Sequence, residues 1–218
     1  MARLVETEEA EEQAEKARSA LRTLADHVAY WLSQIASPFV VGLGVLGYVT
    51  LSTAPNVAVG LRWLAVIGVG LLVPYGVIWW GVKRGMWTDL HVSRRSQRLV
   101  PFLMSLLALG GLLVGLLVQS ASRPLVATLV AVIVEVAVAT LITQVAKFKI
   151  SLHIDSAAGA VTVFCLLVSP LFVVLAPLVG LVAWARWRLE AHSPLQALSG
   201  AVLGAAVTLI TFSLFGLR

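Results

Sequence analysis

Seven apolar runs dominate this chain, near residues 37–54, 60–82, 100–119, 125–146, 154–168, 171–187 and 195–216. A bilayer core about 30 Å thick is spanned by roughly 20 apolar residues in a helix, and the longer runs meet that length. In hydrocarbon the backbone must satisfy its own hydrogen bonds, which leaves helices or a closed barrel. The runs are rich in Leu, Val and Ala with no period-two alternation, and this excludes the barrel. The predicted fold is an all-α integral membrane bundle of six or seven transmembrane helices. Residues 157–187 are too long for one span, and Ser169-Pro170 is the natural break. Composition agrees: 12% of the residues are charged, against roughly 25% in soluble domains, and mean hydropathy is +0.94.

Two regions are expected. Residues 1–35 open with Glu6, Glu8, Glu9, Glu11, Glu12 and Glu15, so they do not read as a signal peptide. Lys16, Arg18 and Arg22 follow, an acid-then-base order that suits a helix dipole. Leu24, Val28, Trp31, Leu32 and Ile35 then form an apolar face, predicting an amphipathic helix on the membrane surface. Residues 36–218 form the transmembrane domain. Cys165 is the single cysteine and sits within a span, which excludes a disulfide framework and a thiolate metal site.

Charge is one-sided. Of the 16 lysines and arginines, all but Arg62, Arg123 and Arg218 fall on the face holding the N-terminal tail and the loops after spans two, four and six. Trp79, Trp80, Trp87, Trp184 and Trp187 gather near the same face, as an interfacial belt does. The net charge of +5 therefore describes membrane orientation or an anionic ligand, and a nucleic-acid partner is not expected, since no basic and aromatic platform lies on a soluble domain. The bias places the basic face on the cytoplasmic side of a multi-pass cell-membrane protein.

Span parity carries the functional argument. His91 to Arg98 follows span two, Lys149-Ile-Ser151-Leu-His153 follows span four, and Arg186 to His192 follows span six. Even numbers of crossings separate them, so all three polar clusters emerge on one face. Flanking positive charge explains Lys83, Arg84 and Lys147, but not histidines set among Ser and Gln at helical spacings. Ionisable groups near hydrocarbon are usually functional. The layout Arg186-x5-His192-x3-Gln196-x3-Gly200 suits phosphate handling. Arginine offers a planar fork of donors to phosphoryl oxygens, and histidine attacks phosphorus or shuttles a proton. A side chain four residues on can fix the imidazole tautomer.

These residues resemble the type 2 phosphatidate phosphatase superfamily, which shares its site with vanadium haloperoxidases. Its pattern runs Lys-x6-Arg-Pro, then Pro-Ser-Gly-His, then Ser-Arg-x5-His-x3-Asp with a downstream glycine. The third part matches best, at Arg186, His192, Gln196 and Gly200, with Ala185 at the serine position and Gln196 at the aspartate position. The second matches at Ser151 and His153, with Ile150 and Leu152 at the proline and glycine positions. The first keeps only its spacing in His91-x6-Arg98, where Leu99 follows and Pro101 is near; Arg95 is a rival for Arg98. The match covers about residues 90 to 200. The resemblance implies a metal-independent lipid phosphatase without a cofactor. His192 would be the nucleophile and His153 the acid and then the base. Arg186, Arg98, Ser151 and Lys149 would hold the phosphoryl oxygens. Glutamine at position 196 is similar to the polyprenyl (dolichyl) diphosphate phosphatase branch, which makes a polyprenyl diphosphate the expected substrate.

Other classes are weighed by what is missing. Asp26, Asp89 and Asp155 are the only aspartates, too few for the Asp-x3-Asp pairs that hold magnesium diphosphate in prenyltransferases and CDP-alcohol phosphotransferases. A binding protein with a degenerate site, and a transporter or scaffold, remain the alternatives. A transporter places polar groups at mid-membrane, and here Glu135 alone fits that pattern well. Glu135 is expected to make an inter-helix hydrogen bond, and Asp155 either a supporting bond or a helix-start acid. His27 reads as an interfacial residue. Gly110, Gly111, Gly115, Gly200 and Gly204 are expected to allow close helix contact. The oligomeric state is not legible.

Overall fold

The computed structural model of the chain describes residues 22–217 except 91 and 93, together with the backbone alone of Arg95. The acidic stretch, His91 and Arg218 lie outside the described residues. Among the described residues eight α-helices follow one another: α1 (Arg22–Ile35), α2 (Pro38–Thr53), α3 (Val57–Lys83), α4 (Leu99–Val118), α5 (Arg123–Val145), α6 (Leu152–Leu167), α7 (Ala176–Arg188) and α8 (Pro194–Leu214). No strand is present among the described residues. The all-α membrane bundle expected from the apolar runs is therefore the observed fold.

Five stretches are long and apolar enough to cross a membrane: α3, α4, α5, α8, and α7 together with the 3₁₀ turns Pro170–Leu175 that precede it. α1 and α2 pass the same test only when taken together, and they are bent by 46° at their break, as in a broken span or a re-entrant loop. α6 has only 16 residues, about 24 Å at 1.5 Å per residue. It is apolar and packs inside the bundle against α2, α7 and α8. The break between α6 and α7 falls at Ser169, whose hydroxyl accepts from the Leu171 amide ahead of Pro170. Ser37, Asn56, Ser122 and Ser193 cap α2, α3, α5 and α8 in the same manner, satisfying amides left open at helix starts.

The core is a slab of Leu46, Val49, Trp63, Ile67, Leu112, Leu116, Leu125, Leu129 and Phe212. α8 lies unusually close to α6. A Cβ on Gly200 would come within 2.6 Å of the Ser151 carbonyl oxygen, and one on Gly204 within 2.1 Å of the Asp155 carbonyl oxygen. Only glycine permits this approach, as the sequence suggested for that helix. Gly115 is also tight, since a Cβ there would stand 3.1 Å from the Val66 side chain. Gly110 and Gly111 depart from expectation, with nothing within 4 Å; their side of α4 has no helix pressed against it.

Glu135 accepts a hydrogen bond from Thr208 at 2.9 Å, joining α5 to α8 inside the bundle. Trp79, Trp80 and Trp187 are exposed, as a belt requires, with Lys83 over the Trp79 ring and Arg84 over Trp80. Trp87 departs from the belt. It is buried and lies where a side chain on Gly81 would stand.

Candidate active site

Successive helices run in opposite directions, so the starts of α4, α6 and α8 and the ends of α3, α5 and α7 share one face. There the fold brings Arg98, His153, Arg186 and His192 onto a single cavity of about 500 Å³. All four are buried. Span parity had predicted this meeting of three loops.

His192 lies in the turn between α7 and α8. Its Nδ1 is 3.2 Å from Gln196 Oε1, and the same oxygen accepts from the Ser193 amide at 3.2 Å. An amide N–H can be answered only by oxygen, which fixes the orientation of the Gln196 side chain. Nδ1 of His192 must then carry the proton and donate, leaving the Nε2 lone pair free. Ser193 Oγ in turn accepts from the Gln196 amide at 3.3 Å, closing a capping box. The spacing Ser193-x-x-Gln196 at a helix start is a recognisable capping-box signature, and it ties the orienting residue to the fold of α8. Burial lowers the His192 pKa to about 3, assisted by the charges of Lys149, Arg186 and Arg98 and opposed by the bond to Gln196. The imidazole is therefore neutral at physiological pH.

Arg98, just before α4, donates from Nε to the Val92 carbonyl at 3.1 Å and from Nη1 to the Ile150 carbonyl at 3.0 Å. It thus pins the loop before α6 to the loop after α3. Burial draws its pKa down to about 10, with the Arg186 charge acting the same way and Asp89 opposing. It stays a cation at neutral pH. Arg186, in the last turn of α7, donates from Nη1 to Ser33 Oγ at 2.6 Å. Its Nε is buried with no hydrogen-bond partner among the described residues, as is the hydroxyl of Ser151.

Lys149 lies beside the site, where its charge acts on His192. Its Nζ donates to the Ala191 carbonyl at 2.7 Å, bracing the turn that carries His192, and it is not part of the cavity wall. Its pKa falls to about 8, from burial first and then the charges of Arg98 and Arg186, with Asp89 opposing. Ser151 is fully buried at the cap of α6 and, like Lys149, stands outside the cavity wall. Arg95 belongs to a 3₁₀ turn, Arg95–Gln97; nothing of its side chain, or of His91, is described.

Away from this polar end the cavity is lined by Leu46, Leu71, Leu72, Tyr75, Ile78, Phe102, Leu109, Val132 and Val136, from α2, α3, α4 and α5. Leu109 lies ten residues into α4, so the slot reaches about 15 Å along the helices at 1.5 Å per residue. Val40, Leu72 and Tyr75 on its α2–α3 side are also exposed on the outer surface, and the Phe39 and Tyr75 rings meet there at 5.0 Å.

Sequence reasoning missed the contribution of the N-terminal helix. Ser33 holds Arg186, and Gln34 and Ser37 line the cavity. The available signal was the four-residue spacing of Ala29, Ser33 and Ser37, a small-residue stripe offset from the apolar face. Among the described residues, His, Cys, Asp and Glu form no group of three that could hold a metal ion. No family model, curated protein or solved structure matches the chain.

Proposed function

We propose that the protein is a lipid phosphatase that hydrolyses a phosphate or diphosphate ester through a phosphohistidine, as members of the type 2 phosphatidate phosphatase superfamily do. One observation carries the reading. Two buried arginines, His153 and a neutral, tautomer-fixed His192 line a cavity that continues between the helices as a mainly apolar slot. Arg98 and Arg186 donate to carbonyl and hydroxyl acceptors; the Asp89 carboxylate offsets part of their charge, and with Lys149 beside them the site keeps a net positive charge for a bound anion. Buried cations of this kind favour a charged partner strongly.

In this reading His192 Nε2 attacks phosphorus, forming a P–N bond as the P–O bond to the leaving group breaks. His153 delivers a proton to the departing oxygen. It then takes a proton from water, whose oxygen attacks the phosphohistidine and releases inorganic phosphate and free His192. Arg98 and Arg186 neutralise charge on the equatorial oxygens, the main need in phosphoryl transfer. The substrate is a polyprenyl diphosphate, its head at the arginines and its tail in the slot. The site faces the cytoplasm, where the basic loops lie.

The test is phosphate release by the purified full chain from polyprenyl mono- and diphosphate, phosphatidate and phosphatidylglycerol phosphate. His192→Ala and His153→Ala should each abolish turnover, since general acid catalysis alone supplies about 10²–10⁴-fold. Wild-type activity should survive EDTA. Near-normal activity in His192→Ala, or loss of activity with EDTA, overturns the mechanism. A preference for phosphatidate overturns the substrate assignment. Phosphate or vanadate binding without hydrolysis of any lipid identifies a binding protein instead.

A further inference from the structure

α1 meets the end of α7 at two points along one stripe, with Ala29 buried between them. Arg188 Nε forms an ion pair with Asp26 at 2.7 Å, Ala29 is fully buried, and Ser33, 3% exposed, accepts from Arg186 Nη1 at 2.6 Å. Arg188 Nη2 adds a long bond of 3.4 Å to the Arg22 carbonyl. Another face of α1 carries Leu24, Val28, Trp31 and Ile35, all exposed. α1 leads directly into α2, so this face is continuous with the lipid-facing surface of the bundle.

The bond from Ser33 selects which edge of Arg186 is spent. A guanidinium presents five N–H groups in a rigid planar fork. With Nη1 held by Ser33, the edge formed by Nε and Nη2 is the one left over, and Nε has no partner. That edge offers two parallel donors, the geometry of bidentate phosphate recognition. Gln34, the next residue on α1, lines the same cavity as Arg186 and His192.

We propose that Ser33 is a positioning residue for Arg186, and that α1, docked on α7 and held at the lipid surface, is a working part of the phosphoryl site. Ser33 turns the Nε–Nη2 edge toward the anion, and the Asp26–Arg188 pair keeps α1 in register for it. Phosphate affinity is thereby linked to the seating of α1. This rests on the reading of the cavity as a phosphoryl site, but does not require that the site be catalytic.

Orthovanadate binding to the purified full chain tests it apart from turnover. Ser33→Ala should weaken binding about tenfold, the scale of a lost hydrogen bond to a charged group, and Ser33→Thr should restore it. In an Arg186→Lys background, Ser33→Ala should add no further loss, because the two act as one unit. Asp26→Arg should weaken binding two- to threefold, and Asp26→Arg combined with Arg188→Asp should recover it. Unchanged vanadate affinity in Ser33→Ala, no rescue by threonine, or full additivity with Arg186→Lys overturns the proposal. If the wild type binds vanadate but releases no phosphate from any lipid, the phosphatase reading fails while the role of Ser33 stands. If the wild type binds no vanadate, both fail.

Discussion

Adding a single methyl group at Gly204 should unseat the helix that carries the orienting glutamine. The Cβ of Gly204→Ala would stand 2.1 Å from the Asp155 carbonyl oxygen and 2.8 Å from its carbon, and real Cβ atoms essentially never approach closer than 3.0 Å. The gap is backbone against backbone, so no rotamer relieves it. α8 must move at least 0.9 Å away from α6, the difference between 3.0 and 2.1 Å. Thr208 lies one turn further along α8, and a shift of that size stretches its 2.9 Å bond to Glu135 beyond hydrogen-bonding range. Overpacking costs about 1–3 kcal/mol, and a buried polar group left unsatisfied costs a similar 1–3 kcal/mol. Alanine returns about 1 kcal/mol of helix propensity. The net loss should be about 1–5 kcal/mol. Gly111→Ala provides the control, since nothing lies within 4 Å of its Cβ; it should be neutral or stabilise by up to about 1 kcal/mol. The assay is the midpoint of SDS-induced unfolding in mixed micelles, followed by phosphate release. Equal midpoints for the two alanine variants would refute the argument that α8 is seated on the α6 backbone.

Three further outcomes follow from the site. Gln196→Asp should preserve or raise the rate of phosphate release, because a carboxylate holds the same tautomer and also stabilises the imidazolium. Gln196→Leu should slow it about five- to tenfold, the value of one lost hydrogen bond, and equal rates in Gln196→Leu and wild type would remove its orienting role. Gly42 lines the slot with nothing within 4 Å of its Cβ, so Gly42→Phe should raise KM for a long-chain polyprenyl diphosphate while leaving a short, water-soluble phosphate ester unaffected; equal effects on both would place the tail elsewhere. The His192 pKa is held near 3 against an ordinary 6.5, so between those values the unfolded chain binds the extra proton. Stability should therefore be full above pH 6.5 and fall as pH drops, by up to about 1.4 kcal/mol per unit. His192→Phe should flatten that slope between pH 6.5 and 5 in the same SDS titration, and an unchanged slope would deny the burial of a neutral imidazole.

The all-α class and the breaks of the helices were legible in the chain because hydrocarbon imposes a local rule, although of the six or seven spans expected five are long and apolar enough by themselves. Each span must be long, apolar and internally hydrogen-bonded, so each can be read without knowledge of its neighbours. The same rule made the polar clusters legible, since parity alone carried Arg98, His153 and Arg186–His192 to one face. Tertiary structure decided what no local rule reaches. Lys149 took the Ala191 carbonyl in the turn that carries His192, Trp87 folded onto Gly81, and Gly110 and Gly111 met nothing, while Gly200 and Gly204 met a backbone. Ser33 reached Arg186 across 153 residues; the small-residue spacing on α1 marks a packing stripe but not the partner it meets. Which edge of a guanidinium is free, and how neutral an imidazole stays, are set by surroundings drawn from helices distant in the chain, and those come into being only when the helices pack.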